Sequence, residues 1–148
     1  MKGRDQLNNG VVIEELNTLL RGTYMGIRSL EHYIQKVEDE GLKHTFQSMQ
    51  QETKENAQKL AERIQNLGGV PADDEGFSGS MHSFMHKMML SDNEEAILED
   101  ALKGFDKYGV EYSEELVKGD LDPESRRLAE EVIDTSRKHA EQIRLMLY

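Results

Sequence analysis

The sequence predicts an all-α protein built as a bundle of four long helices. Apolar residues recur at alternating steps of three and four over four stretches of the 148-residue chain. Glycine, proline and helix-capping residues separate these stretches. No stretch has the alternating pattern of a β-strand. We therefore expect one all-helical domain over residues 1–148, which is long enough to enclose a core.

The composition limits the partners that the chain can have. It contains 18 Lys and Arg residues against 29 Asp and Glu residues, for a net charge of -11. Because the basic residues are interspersed with acidic ones, nucleic acid is not an expected partner. No apolar run is long enough to cross a membrane, and residues 1–10 lack the apolar region of a signal peptide, so we expect a cytoplasmic location. The absence of cysteine excludes disulfides, thiolate metal sites and cysteine nucleophiles.

The chain is predicted to form two helical hairpins joined by one long connection. Each apolar seam repeats at helical spacing between glycine and proline breaks. The predicted helices cover residues 11–38, 42–67, 92–118 and 123–147, and the crossover covers residues 68–91. Its latter half, residues 81–90, is expected to form a short amphipathic helix that covers one end of the core.

The first two helices are separated only by a tight turn. We expect the first to begin after Asn8 or Asn9 and to stop near Gly41, since asparagine caps helix starts and glycine closes helix ends. The second should end at Gly68 and Gly69. So short a connection cannot carry the chain back to its starting end, and the two helices should pack antiparallel.

Capping residues also mark the last two helices. Ser91 and Glu94 form a capping box at the predicted start of the third helix, and Gly119 should end it. Asp122 and Pro123 should start the fourth helix, because proline at the first helical position loses no hydrogen bond. The seam of the third helix is predicted as Leu98, Leu102, Phe105, Gly109, Tyr112 and Leu116.

Two hairpins joined by a long crossover give helices that run up, down, down and up. This is the connectivity of ferritin-like bundles, whereas simple up-and-down bundles have only short loops. The sequence therefore favours a ferritin-like four-helix bundle of two antiparallel hairpins.

Polar residues interrupt the apolar seams near the middle of the bundle. We expect them to meet in one buried layer, which is the level at which helical bundles hold cofactors. The layer is predicted to contain Thr23, Thr53, Asn56, Thr135, Ser136 and His139. Hydroxyls, one amide and one imidazole can form a hydrogen-bonded network. They lack the anionic oxygens that two buried divalent ions need.

Short segments along nearly the whole chain carry a family resemblance. They are Leu16-Asn17, Glu62-Arg63-Ile64 leading into Gly69-Val70-Pro71, Lys138-His139-Ala140, and the stretch from Asn93 to Tyr112. They resemble the bacterioferritin and rubrerythrin side of the ferritin-like superfamily. The last stretch more closely resembles a bacterial ferritin-like family of unknown function. The resemblance implies the four-helix fold and brings no activity with it.

The resemblance also identifies where metal ligands would lie. The positions that correspond to the Glu and His ligands hold Thr23, Thr53, Asn56, Ser136 and His139, and Leu102 and Phe105 replace acidic residues of the third helix. Of these residues, only His139 is of a type that serves as a metal ligand in the related proteins. The resemblance therefore implies neither ferroxidase nor peroxidase activity, and no cofactor is expected.

Carboxylates beside the seams leave a metal site open as an alternative. Glu52 and Glu55 are three residues apart on the second helix, and Glu131 has the same spacing from Asp134 on the fourth. With His139 they could hold iron, manganese or zinc. The competing interpretation is a solvated helix face in a chain rich in glutamate.

The crossover contains a second metal-like pair. His82 and His86 are four residues apart, so a helix would place both imidazoles on one side, among several methionines. Copper or zinc could bind there. The alternative is an adaptable apolar face that covers one end of the bundle.

Four glycines lie inside predicted helices, at Gly22, Gly26, Gly104 and Gly109. They either let neighbouring helices and tyrosine side chains approach closely, or leave a pocket or dimer contact along the Gly22 to Gly26 face. The sequence alone does not separate these interpretations.

These patterns together predict a non-catalytic structural or interaction module with a degenerate metal centre. It is expected to self-associate as a dimer, since amphipathic hairpins pair readily about a twofold axis. The alternative is a metal-dependent oxidoreductase or metal store with an unusual ligand set.

Overall fold

The computed structural model describes residues 2–74, 93–117 and 119–148, with side chains from Asn9 onward. The elements are α1 (Lys2–Lys36), α2 (Glu40–Asn66), α3 (Glu94–Lys103), a π-helix (Gly104–Tyr112), α4 (Ser113–Leu116) and α5 (Pro123–Leu147). α3, the π-helix and α4 follow without a break and form the third helix of a four-helix bundle. The described residues contain no strand, so the all-α prediction is confirmed. None of the described helices is long and apolar enough to cross a membrane.

Two separate apolar cores show in which direction each helix runs. The first core contains Val12, Leu16, Leu19, Leu20, Ala57, Leu60, Ile64, Val117, Leu121, Ala129, Val132 and Ile133. The second contains Leu30, Tyr33, Val37, Leu42, Phe46, Met49, Ile97, Leu98, Ala101 and Ile143. α1 and α5 give their early residues to the first core and their late residues to the second, whereas α2 and the third helix do the reverse. The helices therefore run up, down, down and up.

The helix starts are fixed by side-chain caps. Asp39 Oδ2 accepts a hydrogen bond from the Leu42 amide at 2.8 Å, and Asp122 Oδ2 accepts one from the Ser125 amide at 3.2 Å. Pro123 is the first residue of α5, as predicted. Each cap satisfies an amide that has no partner within its helix.

Several predicted boundaries were wrong. α1 begins at Lys2, so neither Asn8 nor Asn9 caps it, and it ends at Lys36. α2 begins at Glu40, ahead of Gly41, because Asp39 supplies the cap.

The start of the third helix also differs from the prediction. It begins at Glu94, and its N-cap is Asn93, whose Oδ1 accepts a hydrogen bond from the Ala96 amide at 3.2 Å. Ser91 is therefore not the cap. The short helix predicted at residues 81–90 lies outside the described residues.

The π-helix changes which face of the third helix is buried. The predicted seam placed Tyr112 in the core, but Tyr112 is 55% exposed and Ser113 is buried at 6%. A π-helix has i to i+5 hydrogen bonds and thus more residues per turn than an α-helix. The buried face consequently advances by one residue at this turn, and the predicted seam was wrong at Tyr112, whereas Leu116 packs against the first core as predicted.

The segment that follows α2 is hydrogen-bonded to α1. Asn17 Nδ2 donates to the Val70 carbonyl at 3.1 Å, and Asn17 Oδ1 accepts from the Ala72 amide at 2.7 Å. A Cβ atom built on Gly69 would lie 2.7 Å from Cγ2 of Ile13, so only glycine fits this close approach. These contacts give structural roles to Asn17 and Gly69.

Candidate functional site

A cavity of about 70 Å³ lies at mid-height, between the two apolar cores. Leu19 of the first core and Leu30 of the second are among its walls. Residues from α1, α2, the third helix and α5 all line it. The cavity is therefore at the level where the interrupted seams predict a polar layer.

The walls of the cavity carry no formal charge, although 32% of the chain is charged. The lining residues are Leu19, Gly22, Thr23, Met25, Gly26, Ser29, Leu30, Tyr33, Thr53, Asn56, Ala101, Gly104, Phe105, Tyr108, Gly109, Ser113, Val132, Thr135 and Ser136. Five residues of the predicted polar layer are among them: Thr23, Thr53, Asn56, Thr135 and Ser136. The sixth, His139, is not.

The polar groups around the cavity are largely bonded to the protein itself. Three threonine hydroxyls donate to the carbonyl oxygen four residues earlier in their own helix, at 2.7 to 3.1 Å; these belong to Thr23, Thr53 and Thr135. Asn56 Nδ2 donates to Thr135 Oγ1 at 3.0 Å and so connects α2 to α5. The cavity is therefore lined by uncharged groups, and most of their hydrogen-bond donors already bond to other protein atoms.

The Tyr33 hydroxyl is buried and has no hydrogen-bond partner among the described residues, while its ring packs on Phe46 with centroids 5.3 Å apart. An unpaired buried hydroxyl costs about 1–3 kcal/mol. Burial, and secondarily the Asp100 carboxylate, raise the pKa of Tyr33, so the hydroxyl keeps its proton. Tyr33 is thus a cavity-lining residue with an unused hydrogen-bond donor.

Glycine is present around the cavity for two different structural reasons. A Cβ atom on Gly109 would lie 2.7 Å from Oγ of Ser136, so helix packing requires a glycine there. A Cβ atom on Gly22 would meet nothing within 4 Å, and one on Gly26 would make only an ordinary contact with Thr53 at 3.8 Å. Glycine in a helix interior costs about 1 kcal/mol relative to alanine. Packing does not explain Gly22 and Gly26, whose missing side chains leave space at the cavity.

The π-helix also contributes to the cavity wall. Gly104, Phe105, Tyr108 and Gly109 all belong to it and line the cavity. The Ser113 hydroxyl donates to the Tyr108 carbonyl at 3.0 Å, five residues earlier, and so satisfies an acceptor of the widened helix. π-helical turns are rare and often occur at functional sites.

His139 lies beside the cavity and is buried at 3%. Its Nε2 atom is 3.3 Å from Oε2 of Glu52, and its ring meets the Phe105 ring edge-on with centroids 5.2 Å apart. Burial lowers the pKa of His139, and the nearby Glu52 carboxylate opposes this shift without overcoming it. The imidazole is therefore neutral at pH 7.

The remaining candidate ligands do not converge. Glu131 pairs with Lys59 Nζ at 2.6 Å, and Glu55 is exposed. Glu52 alone among these carboxylates contacts His139. Within the ranges that the structure describes, no group of three or more His, Asp or Glu side chains is arranged to hold a metal ion. His82 and His86 lie outside those ranges.

Sequence reasoning missed Tyr33 and Ser29 as cavity residues. A signal for them exists, because Gly22, Gly26, Ser29 and Tyr33 follow steps of four, three and four. These steps place all four on one face of α1, beside the main apolar seam. A stripe of small residues that ends in a tyrosine was thus readable, whereas the π-helix was not.

Comparison with known proteins places the chain in one family. The model of the family described as Domain of unknown function (DUF2383) matches residues 11–118, which include α2 and the whole cavity-lining part of the third helix. No curated protein and no solved structure matches the chain significantly. Since the family match covers well over half of the 148 residues, the chain belongs to the Domain of unknown function (DUF2383) family.

Proposed function

We propose that this protein is a non-catalytic, ferritin-like helical-bundle protein in which a neutral polar layer occupies the level of a metal centre. The up, down, down and up order of its helices supports the ferritin-like assignment, since that order requires one long crossover. On this proposal the chain acts as a structural or interaction module.

The uncharged wall of the mid-height cavity carries this proposal. Two divalent ions buried in a helical bundle need several carboxylates, and di-iron bundles supply them from all four helices. Here the corresponding positions are hydroxyls, an amide and one imidazole, and the Thr23, Thr53 and Asn56 side chains donate to the protein backbone or to Thr135. Neutral groups of this kind are poor ligands for hard cations.

Elemental analysis tests the proposal directly. Protein purified without chelator and without a metal-affinity step should contain only substoichiometric iron, manganese, zinc and copper. Adding peroxide should not change its absorbance spectrum. Stoichiometric metal together with a peroxide-dependent absorbance change would overturn the proposal.

The contact between His139 and Glu52 favours a second candidate function, a metal store or metal-dependent oxidoreductase. An imidazole nitrogen and a carboxylate oxygen are suitable ligands for iron, manganese or zinc. In that case Glu52→Gln should lower the metal content, while Glu55→Gln, an exposed change on the same helix, should not. On the main proposal neither variant changes it.

We also propose that the protein is a cytoplasmic homodimer. An amphipathic hairpin bundle can pair through a self-complementary face about a twofold axis. Sedimentation equilibrium over a range of concentrations should give twice the 17.0 kDa mass of the chain. A single species of one chain at all concentrations would exclude the dimer.

A further inference from the structure

We propose that the mid-height cavity binds a small uncharged organic molecule with one hydrogen-bond acceptor, which accepts a hydrogen bond from the Tyr33 hydroxyl. This goes beyond the proposed function, because it assigns a ligand class to the cavity. It does not depend on whether the protein binds metal.

The charge of the cavity wall selects an uncharged ligand. None of the lining residues that the structure describes is acidic or basic, in a chain with a net charge of -11. An ion would lose its hydration in the cavity and gain no opposite charge. Leu19, Leu30 and Phe105 provide apolar contact for the body of the ligand.

The size of the cavity limits the ligand to a few non-hydrogen atoms. Its volume of about 70 Å³ exceeds the roughly 10–15 Å³ that one water molecule requires. It is smaller than an engineered apolar cavity of about 150 Å³ that binds benzene. A short ketone or alcohol that is smaller than benzene is therefore the appropriate size.

Tyr33 selects for an acceptor on that ligand. Its hydroxyl is buried, keeps its proton, and has no partner among the residues that the structure describes. The threonine hydroxyls and the Asn56 amide already donate elsewhere. A carbonyl or hydroxyl oxygen of the ligand would satisfy the donor that the protein leaves unpaired.

Gly22 and Gly26 provide the space. Neither is needed for close packing, since a Cβ atom on Gly22 meets nothing within 4 Å and one on Gly26 meets only Thr53 at 3.8 Å. Larger side chains at these positions would occupy the cavity.

Two matched probes test the proposal: 2-butanone, which has a carbonyl acceptor, and 2-methylbutane, which has none. Each is titrated into the full chain while amide chemical shifts are recorded. Both should shift resonances of cavity residues in a saturable manner, and 2-butanone should bind more tightly. Tyr33→Phe should weaken 2-butanone binding by about tenfold, because it removes one hydrogen bond, and should leave 2-methylbutane binding unchanged.

Filling the cavity provides the second test. Gly26→Leu should abolish binding of both probes, and Gly22→Leu serves as a second filling variant if Gly26→Leu does not fold. Gly10→Leu is the matched control, since Gly10 is on the same helix, has open space around it and does not line the cavity. It should bind both probes normally.

Three results would overturn the proposal. One is that neither probe shifts any cavity resonance, as expected if the cavity holds only water. Another is that a folded filling variant binds 2-butanone as well as the unmodified chain does. The third is that Tyr33→Phe retains the full preference for 2-butanone.

Discussion

Gly109 and Ser136 pack so closely that a Cβ atom on Gly109 would lie 2.7 Å from Oγ and 2.8 Å from Cβ of Ser136. Gly109 belongs to the π-helix and Ser136 to α5. This contact joins the widened part of the third helix to the fourth helix of the bundle, directly beside the cavity.

The first prediction follows from this contact. Gly109→Ala should lower the free energy of unfolding by about 1–3 kcal/mol, because the added methyl group overlaps Ser136. Gly22→Ala should raise it by about 1 kcal/mol, because alanine favours the helix and meets no obstacle. Urea unfolding followed by circular dichroism measures both changes.

A double variant tests the cause of the Gly109→Ala effect. If overlap with Ser136 is responsible, Ser136→Gly should cost less stability in the Gly109→Ala background than in the unmodified chain. Equal costs in both backgrounds would show that the two residues do not interact.

The second prediction concerns Arg63, which joins the end of α2 to the start of α5. Its guanidinium group donates to Ser125 Oγ at 3.0 Å and to Asp122 Oδ2 at 2.8 Å, and lies 3.0 Å from Glu124. Burial disfavours ionisation of Asp122, but hydrogen bonds from Ser125 and the charge of Arg63 outweigh it and lower the pKa of Asp122. Arg63→Ala should reduce stability by about 1–3 kcal/mol.

Lysine and a second ion pair provide controls for Arg63. Arg63→Lys should recover only part of the loss, since an ammonium group cannot make the forked contacts of a guanidinium. Lys59→Ala removes a pair between the same two helices whose side chains are 50% and 51% exposed, so its effect should stay below about 1 kcal/mol. Equal losses from Arg63→Ala and Lys59→Ala in thermal unfolding would contradict the prediction.

The third prediction concerns acid stability. Burial lowers the pKa of His139 from its ordinary 6.5, so below pH 6.5 the unfolded chain binds a proton that the folded chain does not. Stability should therefore fall as the pH decreases from 6.5. His139→Leu should be tolerated at pH 7, since the neighbouring carboxylate of Glu52 is 57% exposed and remains hydrated. The variant should also lose less stability than the unmodified chain as the pH decreases.

Unfolding at a series of pH values measures the His139 contribution. His44→Leu is the matched control for the substitution itself, because His44 lies exposed on α2. A His139→Leu variant that unfolds at pH 7 would show that the imidazole makes a required contact.

The fourth prediction concerns Glu15. Burial, followed by a hydrogen bond and repulsion from the Asp120 carboxyl group, raises the pKa of Glu15 from 4.5 to about 7. Between pH 4.5 and about pH 7 the folded chain binds more protons than the unfolded chain. The contribution of Glu15 to stability therefore falls as the pH rises through this range. Glu15→Gln should therefore stabilise the protein above pH 7, and the gain should shrink toward pH 4.5.

The neighbouring Glu14 supplies the control for Glu15. Glu14 is exposed one residue earlier on α1, and Glu14→Gln should not produce the same pH-dependent gain. A Glu15→Gln variant whose stability relative to the unmodified chain is constant from pH 4.5 to pH 8 would contradict the assigned pKa.

The sequence was sufficient to predict the helical fold, because burial repeats along α1, α2 and α5 at the period of an α-helix. Leu16, Phe46 and Ile143 recur at this period and are fully buried. It was less reliable for boundaries, since competing caps such as Ser91 and Asn93 are chemically similar. It also brought Thr23, Thr53, Asn56, Thr135 and Ser136 to the correct level of the bundle, where they line the cavity.

The amino-acid sequence by itself determined the helical class and the hairpins, because these depend on local periodicity and residue type. Only the tertiary structure decided that the third helix widens into a π-helix, that the Tyr33 hydroxyl has no partner among the described residues, and that Gly22 and Gly26 adjoin open space. Each of these features depends on how the four helices pack against one another. That packing is set by contacts between residues far apart in the chain, such as Gly109 with Ser136, which no local sequence pattern encodes.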